Sequence, residues 1–402
     1  QRELPMRILQ LTPRIPYPPD DGGKIGIFGI TKYLALRGHE ITLLSITSNQ
    51  NSDLSGLRKY CKVETVVMNT ANSYLGMLFN LFSKTPYTIS KYHGRAVLNK
   101  LKDLLQKNRF DIVHVDHLHM AYYGKFIKEE FGLPVVLREH NVESSIWERY
   151  YRGISNPLVK AYARFQFKKL YKYESRIVEN FDQCFMITEK DKREIERMNP
   201  RVKASVIPAG VDTPYFHPMD VPIEPYSIVS VASMDWLPNV EGILWFTTIW
   251  PLVKEKIPQA KLYIVGKNPP AKIRDLARDD IIVTGFVKDV REYMAKAMVF
   301  IVPLRTGGGM RIKILNALAM GKAVVSTSVG CEGIDIENGK NIYIADTEEG
   351  FAERVIELLE DESKREELGK EGLKLVSQKY QWERIAERIE DEYNKILKGG
   401  GV

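Results

Sequence analysis

Short apolar runs rich in β-branched residues recur along the chain, separated by stretches with helical spacing. In the first half these runs are Arg7–Thr12, Glu40–Ile46, Val63–Met68, Asp111–Val115, Pro134–Glu139, Gln183–Thr188 and Lys203–Pro208. Near-continuous apolar segments of this kind are what parallel strands covered on both faces require. Helices are predicted between them, including Ile25–Arg37, Val97–Lys107 and Pro157–Glu179. The alternation predicts a doubly wound parallel α/β sheet. A Pro-rich stretch, Pro214–Pro225, interrupts the pattern and reads as a linker. The pattern restarts with Ile228–Ala232, Lys261–Val265, Ile281–Val283, Val299–Pro303 and Ala323–Thr327, with a weaker run at Asn341–Ala345. Helical stretches then run from Glu348 to about Lys398.

The length of 402 residues exceeds one ordinary core and agrees with two domains, placed at 1–218 and 219–381. At 44% hydrophobic and 27% charged, the composition is that of a globular chain. No apolar run reaches the roughly 18 residues needed to span a bilayer. Residues 1–5, ahead of Met6, are read as foreign to the fold, no signal peptide is expected, and Gly399–Val402 reads as a frayed end. Cys61, Cys184 and Cys331 are scattered without metal-ligand spacing, which fits a reducing, cytoplasmic setting. The net charge of +7 suits anionic small molecules or anionic lipid surfaces better than dedicated nucleic-acid binding.

The chemistry concentrates in Pro303–Gly333. A buried strand is followed by Gly307, Gly308 and Gly309, then by a helical pattern carrying Arg311 and Lys313. Helix N-terminal amides and the macrodipole favour phosphate, and glycines let a ligand approach the backbone. Arg311 could grip phosphate oxygens bidentately, with Lys313 as a point charge. Such a site lies at a strand's carboxyl end, where ligands of α/β sheets bind. The alternative is a tight turn with solvated cations.

Other residues invite two readings. Gly22 and Gly23 lie between a strand and a helix, in a loop that Asp-Asp-Gly-Gly turn chemistry explains equally well. His114, His117 and His119 have metal-like spacing, and 117 and 119 would share a face on a strand. No fourth ligand suggests itself, and a cleft-lining loop is the preferred reading. The aromatic and basic stretch Tyr150–Arg176 reads either as a solvated helix with buried aromatics or as a face for an anionic membrane.

Six segments occur in order: Pro13–Lys24, Arg138-Glu-His-Asn141, Ile207-Pro-Ala-Gly-Val-Asp212, Ser233-Met-Asp-Trp-Leu-Pro-Asn239, Thr284-Gly-Phe-Val287 and the 303–333 stretch. Together they resemble the retaining glycosyltransferases of family 4, over about Met6 to Lys398. The resemblance implies the GT-B fold, two Rossmann-like doubly wound parallel-sheet domains with an interdomain cleft. It places the acceptor on the first domain and the donor on the second, with the helix 382–398 crossing back to the first. The implied activity is hexosyl transfer from a nucleotide diphosphate-sugar, with UDP or GDP as nucleotide. The implied acceptor is a sugar, lipid-linked or other hydroxyl, as in cell-envelope polysaccharide or glycoconjugate synthesis. No cofactor and no metal are implied, and no Asp-x-Asp motif is present. The cysteine usage leads to the expectation of a cytoplasmic location, peripheral on the inner membrane face under the membrane reading of Tyr150–Arg176.

Residue by residue, the resemblance makes His140, Arg311 and Lys313 catalytic. Donor contacts fall to Gly22, Gly23, Gly285, Phe286, Val287, Gly307, Gly308, Gly309, Met310, Ile312 and Asn316. Acceptor contacts fall to Asp116, His117, Asn141 and Glu143. Many relatives carry two glutamates here. Alignment of Asn316-Ala-Leu-Ala-Met-Gly321 with their Glu-Ala-Met-Ala-x-Gly puts one at Asn316 and the other at Gly308, so both are replaced. Asn keeps an acceptor carbonyl but loses the charge. A catalytically impaired nucleotide- or sugar-binding protein is therefore the alternative, and a GT-B-fold epimerase a further rival.

Overall fold

The apolar runs fold as parallel strands in two separate sheets. The computed structural model describes residues 4–49 and 51–399. Of the N-terminal segment read as foreign, residues 1–3 lie outside the described residues, as do 400–402 of the C-terminal glycine run. The chain divides into two compact units, one of residues 1–208 with 385–402, the other of residues 209–384.

The first unit holds β1 (Arg7–Thr12), β2 (Glu40–Thr47), β3 (Lys62–Val67), β4 (Ile112–Asp116), β5 (Val135–Glu139), β6 (Gln183–Met186) and β7 (Ala204–Val206). They pair in the order β3-β2-β1-β4-β5-β6-β7. Strands β4 and β5 are buried at every position, the burial that a strand covered on both faces shows. The second unit holds β8 (Ser227–Val231), β9 (Lys261–Val265), β10 (Ile281–Gly285), β11 (Val299–Val302), β12 (Ala323–Ser326) and β13 (Tyr343–Ile344), in the order β10-β9-β8-β11-β12-β13. Both orders reverse direction beside their first strand, between β1 and β4 and between β8 and β11. That reversal is the topological switch point at which doubly wound sheets bind ligands.

Two expectations change. The division between the units falls at Pro208/Ala209, and the Pro-rich stretch is part of the second unit, with Phe216, Met219 and Val221 packed on its core. The stretch Tyr150–Arg176 is not one helix. Helix Glu143–Gly153 ends, and helix Pro157–Ile177 begins with Pro at its start and Asn156 capping the Leu158 and Val159 amides. Proline at the first helical position and Asn at the N-cap explain the break.

The last helix, Trp382–Gly399, belongs to the first unit from Ile385 onward. There Ile385, Ile389 and Tyr393 are buried. Arg388 donates to the Val206 carbonyl at 2.7 Å, and Arg37 pairs with both Glu387 and Glu390. In the second unit Trp382 is buried against Gly210, where a Cβ would lie 2.5 Å from the indole.

Candidate functional site

At the switch point of the first sheet, β4 ends on Asp116, which is fully buried. Its carboxylate accepts from Gln10 Nε2 on β1 at 2.8 Å, and Gln10 in turn accepts from Thr31 at 2.7 Å. Fully buried Arg138, on neighbouring β5, approaches Asp116 at 3.5 Å. His114 lies 3.6 Å from the same carboxylate and bonds the Tyr393 hydroxyl at 2.5 Å. Burial alone would raise the Asp116 carboxyl, but His114, His140 and the Arg138 guanidinium hold it well below the usual carboxylate range.

His140 follows β5 directly. Its Nε2 lies 2.9 Å from Arg138 Nη1. Arginine only donates, so Nε2 accepts in this shorter contact, while Asp116 Oδ1 lies 3.4 Å from the same nitrogen. Burial and the Arg138 charge push His140 down to about 4, so the ring is neutral at neutral pH. His117 stacks on it, with ring centres 3.8 Å apart. Gly26 makes room for this group: a Cβ there would lie 3.2 Å from both Arg138 Nη1 and the His140 ring. The helix Gly22–Leu36 therefore runs against the histidine, with Gly22 and Gly23 in its first turn. Asp21 caps that turn through the Lys24 amide at 3.0 Å and is gripped by Arg14.

The expected acceptor residues are redistributed. Asp116 is enclosed by its partners, so its geometry is that of a positioning residue for His140 rather than a contact residue. His117 and His119 do not share a strand face, because β4 ends at Asp116 and His117 has a φ of 67° ahead of a single 3-10 turn, Leu118–Met120. Glu143 opens its helix, whose first amides, of Glu143 and Ser144, donate to Glu174 at 2.7 and 2.9 Å. Burial and the Glu174 charge raise Glu143 to about 8. Asn141 is half-buried just ahead of this helix.

Among the described residues, His117, His119 and Glu143 form the group that could hold a metal ion, with their ligand atoms within 4.8 Å of one another. The surroundings oppose a cation. Burial, then the Lys91 and Arg14 charges, push His119 down to about 4, and Arg14 also acts against protonation of His117. Fixed positive charge that disfavours an imidazolium disfavours a bound metal for the same reason.

At the switch point of the second sheet, β11 leads into Gly307–Gly309 and the helix Ile312–Ala319. Gly307 has a φ of 119°, and a Cβ there would lie 2.8 Å from both the Trp236 ring and Arg311 Nη2. Only glycine meets both conditions. Arg311 is the N-cap residue of the helix. Its guanidinium donates to the Gly308 and Gly309 carbonyls and lies 5.1 Å from the Trp236 ring centre. Lys313 donates to Asn239 Oδ1 at 2.7 Å, and Asn239 donates to the Ser233 carbonyl at 2.7 Å. Burial and the Arg311 charge push Lys313 down to about 7. Met310, Ile312 and Asn316 sit half-buried around the same turn. Gly285 ends β10, Phe286 is exposed and Val287 packs on the core of this unit.

The sequence reading missed Gln10, Arg138, Tyr393, Trp236 and Asn239. Arg138, Trp236 and Asn239 fall inside segments that carried the resemblance, and only their contacts reveal their roles. Tyr393 had no local signal, because its partner His114 lies far away in the sequence.

Two Rossmann-like units, each with polar groups gathered at its switch point, define the GT-B class of glycosyltransferases. A family profile described as Glycosyltransferase Family 4 matches residues 21–214, and one described as Glycosyl transferases group 1 matches residues 225–361. The chain belongs to this glycosyltransferase family and is a transferase. It is similar to an uncharacterized 44.6 kDa protein in the cps region of Klebsiella pneumoniae, 22% identical over 95% of this chain and 98% of that protein. It is 26% identical to a GDP-mannose-dependent α-(1-6)-phosphatidylinositol monomannoside mannosyltransferase of Mycobacterium tuberculosis, over 48% of this chain and 56% of that one. In fold it resembles Anabaena HepE in complex with UDP, with a TM-score of 0.72 and 14% identity over 97% of this chain and 100% of that one. Among the described residues no helix is long and apolar enough to cross a membrane.

Proposed function

We propose that the protein is a retaining, metal-independent hexosyltransferase that uses a nucleoside diphosphate-sugar, with UDP or GDP as the nucleotide. The observation that carries this reading is the Gly307–Lys313 turn, where a glycine loop, a helix start and two cations converge at the carboxyl end of β11. In the reaction the bond between the sugar C1 and the diphosphate oxygen breaks. Arg311 and Lys313 stabilise the departing diphosphate, whose oxygen takes the acceptor proton. The acceptor oxygen then bonds C1 on the same face. One well-placed cation or donor of this kind contributes roughly 3–4 kcal/mol. His140 is neutral and hydrogen-bonds a sugar hydroxyl. Asp116 and Arg138 position it. Gly22 and Gly23 offer first-turn amides to the diphosphate, and Gly285–Val287 lies against the base. His117, Asn141 and Glu143 line the acceptor side. No protein general base is needed when the leaving group accepts the proton.

The acceptor is a sugar hydroxyl, lipid-linked or free, in cell-envelope polysaccharide or glycoconjugate synthesis, and the enzyme works peripherally at the inner face of a membrane. The cps-region and phosphatidylinositol-mannoside relatives support this. A second reading, a nucleotide-binding protein with impaired catalysis, is favoured by Asn316 and Gly308 in place of the family glutamates.

Calorimetric titration with UDP, GDP and ADP tests the proposal without needing the acceptor. Selective binding is expected for the wild type. Arg311→Ala/Lys313→Ala should weaken it at least ~100-fold, since each charged hydrogen bond contributes roughly 1.5–3 kcal/mol. Failure of the wild type to bind any of the three would remove the reading. Chelator should leave transfer unchanged, and a chelator-sensitive rate restored by a divalent metal would remove the metal-independent step.

A further inference from the structure

The helix Tyr74–Asn80 of the first unit is inverted with respect to water. Its buried residue is polar Asn80, while Tyr74, Leu75, Leu78 and Phe79 are 91%, 68%, 57% and 72% exposed. Phe82, just beyond it, is 90% exposed. A helix normally packs its apolar stripe inward. This one is held by polar bonds instead. Asn80 donates to the Thr85 carbonyl at 2.9 Å and accepts from Gln166 and Lys169 at 3.1 and 2.8 Å. The Ser73 amide donates to the Tyr87 hydroxyl at 2.7 Å. Five large apolar side chains are thereby fixed outward on an anchored element.

Gln166 and Lys169 place the helix Pro157–Ile177 alongside. Phe165 and Leu158, one and three turns before Lys169 on its helical face, are exposed too. Along both stretches of chain the charge has one sign. No Asp or Glu occurs between Glu64 and Asp103, nor between Glu148 and Glu174. Within the second interval Lys160, Arg164, Lys168 and Lys172 are exposed. Exposed apolar and aromatic side chains on two stretches of chain whose charged residues are all cations match the boundary of a bilayer rich in anionic headgroups. A protein partner would equally cover the apolar side chains, but exposed lysines and arginines on carboxylate-free stretches favour an anionic surface.

We propose that the helix Tyr74–Asn80 with Phe82, flanked by the outer face of helix Pro157–Ile177, docks this unit on an anionic lipid bilayer. The apolar side chains enter the headgroup region while the lysines and arginines meet lipid phosphates. This deepens, and rests on, the reading of an enzyme that works at a membrane surface.

The test is flotation of the full chain with vesicles of phosphatidylcholine alone or phosphatidylcholine with phosphatidylglycerol. Binding to the anionic vesicles should be at least ~10-fold stronger, at roughly fivefold per cation near the surface. It should fall as salt rises. Leu75→Ser/Leu78→Ser/Phe79→Ser/Phe82→Ser should lose at least ~10-fold of that binding, since binding scales with apolar area inserted. Lys160→Glu/Lys168→Glu should lose the anionic preference. Circular-dichroism melting of the same variants shows that they are folded, and UDP and GDP titration separates the two ideas. Intact nucleotide binding without vesicle binding by the wild type overturns the docking surface and leaves the transferase reading standing. Equal binding to neutral and anionic vesicles, or a four-serine variant that only dissociates a dimer, also overturns it.

Discussion

The two sheets share a strand order and a switch point, yet they furnish opposite kinds of site. In the first unit, buried side chains of both signs surround one neutral imidazole: Asp116, Arg138 and His114 are fixed from three directions, and His140 is the member closest to solvent. In the second unit, backbone does most of the shaping. Gly307 turns the chain, the Gly308 and Gly309 carbonyls hold Arg311, and the Asn239 amide holds Lys313. One topology thus supports a buried positioning network in one copy and a glycine turn with two cations in the other. The chemistry lives in the residues grafted onto the fold and not in the fold itself.

The contrast can be broken most forcefully at Asp116. Asp116→Ala leaves Arg138 buried beside an empty position, and breaking a buried pair costs about 3–5 kcal/mol. Chemical denaturation should show that loss in the first unit, with UDP or GDP binding preserved wherever the protein stays folded. A stability change below ~1 kcal/mol would mean that the network is not what holds the first site.

A pH series reaches the second site. Lys313, pushed down to about 7 in the free protein, loses its charge as pH rises through that value, whereas a bound diphosphate favours the ammonium. Nucleotide affinity should therefore fall between pH 7 and 9, by up to about tenfold per unit, with proton uptake on binding detected by calorimetry in buffers of different ionisation enthalpy. The same group stabilises the fold in the other direction. Its stability contribution is fully present above the unfolded value of about 10.5 and is lost as pH falls toward 7. Lys313→Met should flatten the affinity profile.

The smallest expected effect is at Asn316. If the chain is a working enzyme, Asn316→Glu should change donor affinity by no more than about tenfold, the difference one hydrogen bond makes. A gain in turnover of a hundredfold or more would favour the impaired reading instead.

Much of the architecture was legible in the order of residues. The strands β1 and β9 coincide with their runs, because interior strands of a doubly wound sheet are dominated by apolar side chains even where, as at Gln10, a buried position is polar. The Gly-rich turn with its two cations was also visible locally, because strand, turn and helix start are contiguous there. Less legible were the ends: β7 and β13 are shorter than their runs, since edge pairing and not hydrophobicity ends a strand. The helix Tyr74–Asn80 is absent from the predicted elements, and its outward apolar side chains are set by the polar anchoring of Asn80 to distant Gln166 and Lys169.

Sequence by itself therefore determined the two α/β halves, the glycine turn with its two cations after β11 and the position of His140, all of which depend on near neighbours in the chain. Only the tertiary structure decided that Asp116 is enclosed, that the His140 ring is neutral, that burial pushes Lys313 down to about 7 and that Tyr74, Leu75, Leu78, Phe79 and Phe82 face outward. These properties follow from burial and from contacts between distant residues such as Gln10, His114 and Tyr393, and no local pattern encodes the dielectric or the partner that a side chain will meet.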